Sequence, residues 1–167
     1  QMTGGSEFSE VLFREVRVPS ANVVGKVNQG WDVSIGTLMH ERGTLGAGLQ
    51  VAYQRNIERL IELSWTIERG GRPAAEDPII RQKLAQCYAE VQIMRASQMR
   101  AFSRLSTTGV PGPEGSIQKI IWSELNQRLQ QVAQELLGPY GQLEAADQHA
   151  IDHGAWWYGY LRARGNR

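Results

Sequence analysis

The run Ile117, Ile120, Ile121, Leu125, Leu129, Val132, Leu136 and Leu137 repeats an apolar side chain every three or four positions. That spacing places them on one face of a helix, and such a face must be buried against another. The chain supplies partners. From about Gly30 the same period carries Leu45, Leu49, Ala52, Tyr53, Leu60, Ile61 and Ser64 along one long helix that ends near "RGGRP" at 69–73. Asp77 before Pro78 reads as an N-cap followed by a proline at the first helical position. The helix it opens runs through Leu84, Cys87, Val91, Met94, Met99, Phe102 and Leu105 and stops in "TTGVPGPEG". Ser116 is read as the cap of the third helix and "GPYG" at 138–141 as its stop. A fourth segment, roughly 147–164, carries Ile151, Trp156, Trp157, Tyr160 and Leu161. Three long amphipathic helices and a shorter aromatic one, joined by short connections, predict an all-α antiparallel four-helix bundle.

One segment stands outside this pattern. Residues 11–18, "VLFREVRV", are β-branched and aromatic, and Pro19 closes them, so they read as a strand. A lone strand leaves its donors and acceptors unpaired, so its partners are expected in sequence outside this chain. The opening "QMTGG" has turn-like character and no initial Met, and the chain is expected to be part of a longer one.

Composition narrows the function. A chain of 167 residues buries roughly 70% of its unfolded surface, enough for a core without staples. Its 18 basic and 17 acidic residues leave a formal charge of +1, no footprint for nucleic acid or an anionic membrane. The single cysteine, Cys87, excludes an internal disulfide and, inside an apolar stripe, reads as a small buried hydrophobe. There is no apolar run of roughly 18 residues and no leader-like start, so a cytoplasmic location is expected.

Several short motifs have simple readings. "GTLGAG" at 43–48 has the order G-x-x-G-x-G with no strand directly before it and no P-loop lysine after it, so close helix packing explains its glycines better than a phosphate cradle. "SIQK" matches S-x-x-K, but its companion motifs are missing and Ser116 sits where a cap belongs. "HAIDH" spaces His149 and His153 one helical turn apart, as two zinc ligands would be, without a converging third. The cluster Trp156, Trp157, Tyr158 and Tyr160 suits a core or a subunit interface. No nucleophile triad emerges.

Taken in order, five segments resemble the acyl-CoA dehydrogenase family. "FREVRVPSANVVGKVNQGW" is similar to the family's passage from the last strand of a middle β-domain into its C-terminal helical domain. "LMHERGTLGAG" resembles that domain's first helix, "DPIIRQKLAQCYAEV" its second, "SIQKIIWSELNQRLQQVAQELLGPYG" its third and "WWYGYLRARGNR" its last stretch before the catalytic turn. The likeness implies a boundary near 28, with 1–28 the tail of the β-domain and 29–167 the helical domain.

The resemblance implies FAD and an acyl-CoA thioester held between the two domains, and electron-transfer flavoprotein or a similar acceptor as redox partner. A carboxylate removes the α-proton while the flavin takes the β-hydrogen as hydride, giving a 2-enoyl-CoA. Most members keep that base in an E-G-T loop after the last helix, which falls beyond Arg167. A minority place it on the first helix in an E-R pair, which Glu41 and Arg42 match, and Leu38 then faces the acyl chain. Cofactor contacts fall on Arg69, Arg72, Glu135, Gly138 and Gly141.

Two departures matter. The Phe of the family's R-x-x-F-G clamp is missing from "ERGGRPAAEDP", and Pro78 stands near the place of its glutamine. "GPYG" replaces a G-G-x-G turn, and Pro139 removes one backbone N–H. The expected assembly is a homodimer or tetramer, with a mixed assembly left open; the alternative to an enzyme is a homologous non-catalytic partner subunit.

Overall fold

The computed structural model describes residues 1–110 and 112–166, and the side chains of all of these except 42–47. Helix α1 spans Gly30–Thr66, α2 Pro78–Thr108, α3 Glu114–Leu137 and α4 Ala155–Ala163. Between α1 and α2 lies a small hairpin of β1, Glu68–Arg69, and β2, Arg72–Pro73. Gly70 and Gly71 turn it with φ of 60° and 78°, values that suit a residue without Cβ.

The caps show why two of the ends fall where they do. Asp77 accepts hydrogen bonds from the Ile79 and Ile80 N–H groups at 2.8 and 3.4 Å, and Pro78 needs none. At the far end Gly109 takes φ 68° and its N–H donates to the Leu105 carbonyl.

Successive helices run antiparallel, which leaves α1 and α3 parallel where they pack on each other. Gln92 Nε2 donates to Gln54 Oε1 between α1 and α2. Lys83 pairs with Glu135, Arg128 with Glu90 and Arg104 with Glu114 between α2 and α3. Gln134 donates to the Trp156 carbonyl of α4, and Lys119 to that of Asn166 in the turn after it. Helix α3 packs against the other three. The core is Ile57 and Leu60 from α1, Ile80, Cys87, Val91 and Met94 from α2, and Leu125 and Leu129 from α3, all fully buried. Burial pushes the Cys87 thiol up to about 11, which keeps it neutral and unreactive at physiological pH.

Four expectations need correction. Residues 11–18 form no strand: they are exposed, and Glu15 interrupts the extended run with φ 50°. β-Branched composition favours a strand only when a neighbouring strand receives it. Ser116 does not cap α3, which begins three residues earlier than such a cap implies, after Pro113, whose fixed φ already suits a helix start. The fourth segment is not one helix. A 3-10 turn, Ile151–Gly154, precedes α4, and Asp152 and His153 take φ of 50° and 54°, so His149 and His153 share no helix face. Finally, Gly48 is exposed and an added Cβ would meet nothing within 4 Å among the described residues, so no other helix of this bundle packs closely on it; Gly43 and Gly46 lie among residues whose side-chain surroundings are outside the description.

The left-handed turn is held from outside. Arg59 of α1 donates through Nε and Nη2 to both Asp152 oxygens, and Trp156 Nε1 donates to Oδ2 at 2.9 Å. The Arg59 guanidinium, followed by the Trp156 N–H, holds the Asp152 carboxyl below its usual value despite partial burial. A carboxylate with a depressed folded pKa stabilises fully above the unfolded value and loses that contribution as pH falls through the folded one. We therefore expect Asp152→Asn to cost about 1 kcal/mol near neutrality, with the gap to wild type closing below about pH 4. Urea denaturation of both proteins at a series of pH values checks this, and a gap that stays constant to pH 2 contradicts it.

Candidate functional site

Leu38 and Glu41 lie three residues apart in α1 and therefore on one face, and both side chains are exposed. Behind them the chain is secured locally: the His40 Nδ1–H donates to the Gly36 carbonyl at 2.8 Å. Arg42 continues the helix, and its side chain lies outside those described. The arrangement offers an apolar side chain and a carboxylate to whatever covers this face, and so suits binding of an apolar group beside a proton acceptor.

A second group of expected site residues lies at the other end of the bundle. Arg69 and Arg72 face each other across the β1–β2 hairpin, exposed, and neither makes an ion pair among the described residues. Like charges directly opposite in a hairpin repel, and a bound phosphate would relieve them. Glu135 is half-buried and paired with Lys83, so its carboxylate is already engaged by α2. Gly138 takes φ 57° and ψ −133°, a conformation for glycine, and ends α3. Gly141 is buried, and a Cβ there would come within 2.7 Å of Gln134 Oε1. The hairpin's two cations and the glycine turn fit a cofactor with a diphosphate. Glu135, an anion tied to a lysine, contributes to that fit only by positioning.

The two groups do not meet within one chain. Glu41 and Thr66, the last residue of α1, are separated by roughly 38 Å at 1.5 Å per residue. The short connections place the hairpin, the start of α2 and the end of α3 together at the Thr66 end.

The remaining motifs resolve simply. Lys119 donates to the Asn166 carbonyl at 2.9 Å and lies over the Trp122 ring, which engages it away from nucleophile activation. Among the described residues no group of three His, Cys, Asp or Glu could hold a metal ion. Trp156 is core, whereas Tyr158 is exposed. No helix of the described residues is long and apolar enough to cross a membrane. Sequence reasoning missed the Arg59–Asp152–Trp156 cluster; the four-residue spacing of Asp152 and Trp156 was its one local signal.

Comparison with known proteins decides the family. Residues 28–163 match the family model described as acyl-CoA dehydrogenase, C-terminal domain. The chain belongs to the acyl-CoA dehydrogenase family. It is 37% identical over 142 residues, 84% of this chain and 33% of the relative, to acyl-CoA dehydrogenase IpdE1 of Mycolicibacterium smegmatis. It is 32% identical over 142 residues, 84% of this chain and 35% of the relative, to acyl-CoA dehydrogenase IpdE1 of Mycobacterium tuberculosis. The chain thus spans about a third of the length of these acyl-CoA dehydrogenases. A crystal structure of the ChsE4-ChsE5 complex from Mycobacterium tuberculosis superposes with TM-score 0.72 at 23% identity, over 92% of this chain and 40% of that one, which shows the shared fold. The all-α bundle is therefore that of an acyl-CoA dehydrogenase C-terminal domain.

Proposed function

We propose that this chain is the helical domain of an FAD-dependent enzyme that oxidises an acyl-CoA thioester to its 2-enoyl-CoA and passes the electrons to electron-transfer flavoprotein or a similar acceptor. Residues 1–28 then belong to the end of a β-domain that forms the opposite wall. The observation that supports this reading best is the shared outward face of Leu38 and Glu41, at the place where the family likeness puts the substrate.

On this reading Leu38 packs against the acyl chain and the Glu41 carboxylate accepts the α-proton, becoming neutral. Bound FAD supplies the two-electron acceptor for the hydride leaving the β-carbon. Arg42 is assigned to orienting charge by the family likeness alone. Arg69 and Arg72 would hold the cofactor's diphosphate, with Gly138 and Gly141 allowing close backbone approach. The distance along α1 supports an assembly in which each hairpin serves a site built on another subunit, as a dimer or tetramer allows.

The test is the complete protein. A preparation with flavin absorbance that reduces an electron acceptor when given an acyl-CoA supports the proposal; a colourless, inactive one favours the non-catalytic partner subunit. That second reading is supported by the missing Phe of the clamp and by Pro78 and Pro139, and the fold neighbour is itself a complex of two named proteins. We expect Arg69→Ala with Arg72→Ala to weaken FAD retention at least about tenfold without unfolding the bundle, since both side chains are exposed. Flavin titration with circular dichroism as the fold control checks this, and unchanged affinity removes the hairpin from the cofactor site.

A further inference from the structure

At the far end of the bundle, away from the hairpin, the first turns of α1, the last turns of α2 and the start of α3 enclose a cleft of about 420 Å³. Its walls are mainly apolar, with Ile35 and Met39 from α1 and Phe102 and Leu105 from α2. These side chains continue the helices' apolar stripes, yet Phe102 and Leu105 are 41% and 37% exposed. Their volume and lining fall in the range of small-molecule sites.

The decisive side chain is Gln118. It lines the cleft, is only 3% exposed, and neither its Nε2 nor its Oε1 has a hydrogen-bond partner among the described residues. Buried amides are almost always satisfied, so a carboxamide with both atoms unpaired needs an explanation. It is buried while its neighbours Ile117 and Ile120 are exposed, and a leucine in its place would pack without that penalty. Close by, Glu114 pairs through Oε1 with Arg104 while its Oε2 is buried and unpartnered.

We propose that this cleft is a binding site for a neutral, largely apolar molecule bearing one hydroxyl or carbonyl oxygen. The carboxamide offers a donor and an acceptor in one plane: an alcohol engages both, and a ketone engages the Nε2 donor. Among the described residues no lysine or arginine lines the cleft to pair with a fatty acid or a phosphate. Arg104 neutralises Glu114, which leaves no unbalanced charge to attract a cation either. Water alone suits the site poorly, because the cleft has room for many molecules at about 30 Å³ each and most of its wall offers them no hydrogen bond. The site uses neither a flavin nor Glu41, which is on another face of α1 from Ile35 and Met39, so it stands apart from the function proposed above.

The probe is 1-hexanol, compared with hexanoate, in ligand-observed saturation-transfer NMR on the complete protein. The expected result is saturable 1-hexanol binding, at least about tenfold tighter than that of hexanoate. Gln118→Leu, which keeps the volume and removes the amide, is expected to weaken 1-hexanol about tenfold. Ala101→Phe, which fills the cleft from α2, is expected to abolish binding and decides the matter if Gln118→Leu does not fold. Glu41→Gln is expected to leave binding unchanged, which separates this site from the reaction. Absence of saturable binding, equal affinity for hexanoate, or 1-hexanol binding that survives both cleft variants overturns the proposal.

Discussion

Glu41→Gln in the complete protein is expected to lower acyl-CoA turnover by about 100-fold or more, with FAD still bound and the fold intact. The α-proton of a thioester is weakly acidic, so its removal needs a carboxylate within about 3 Å of it. Glutamine keeps the size and much of the hydrogen bonding but cannot accept the proton. Because Glu41 is exposed on the bundle, the substitution perturbs no core contact. On the proposed function, the water exclusion that a base requires would come from surfaces that cover α1 in the complete protein. Steady-state turnover, flavin absorbance and circular dichroism on the same preparation separate chemistry from folding. Near-normal turnover would take the role from Glu41.

The largest effect on stability is expected at Gly154. Gly154→Ala should cost about 3 kcal/mol, from two sources that add. Gly154 has φ 72°, where alanine pays roughly 1–2 kcal/mol. Its added Cβ would also lie 2.5 Å from the Ala145 backbone nitrogen and 2.8 Å from the Glu144 carbonyl carbon. Neither neighbour is a flexible side-chain tip, so the turn must shift and loosen Asp152 from Arg59 and Trp156, a further loss of about 1–2 kcal/mol. Gly48→Ala is the natural control: in an exposed helix position with nothing within 4 Å, alanine should stabilise by up to about 1 kcal/mol. Urea midpoints for both variants give the comparison, and a loss below about 1 kcal/mol at Gly154 would mean that the turn yields easily.

These residues also show what the sequence could and could not tell. The ends of α2 were legible because their causes are local: Asp77 and Pro78 start it and Gly109 stops it. The start of α3 was misplaced by three residues because Pro113 can open a helix without a side-chain cap. "HAIDH" has helical spacing, but the conformation at Asp152 and His153 is imposed by Arg59, distant in the chain, and periodicity cannot register a distant partner. The strand-like 11–18 failed for the same reason, since a strand depends on its neighbour. Within the candidate site, Glu41, Arg42 and the hairpin arginines stood out through their resemblance to a family. Gln118 did not: between Ile117 and Ile120 it reads as an ordinary surface position, and only the arrival of α1 and α2 buries it.

The three ion pairs between α2 and α3 carry a meaning beyond their energy. Each is surface-exposed on at least one side and worth about 0–1 kcal/mol. Yet Lys83–Glu135, Glu90–Arg128 and Arg104–Glu114 all obey one offset, because each step forward along α2 is matched by an equal step back along α3. If α3 slid by one turn in one direction, Glu90 would face Glu124 and Lys83 would face Gln131; in the other, Glu90 would face Val132 and Arg104 would face Gln118. No slipped arrangement keeps even one of the three. The apolar stripes tolerate such a slide better, since one apolar side chain replaces another along much of the seam, so the charges work as a proofreading key that rejects near-correct alignments while the two helices dock.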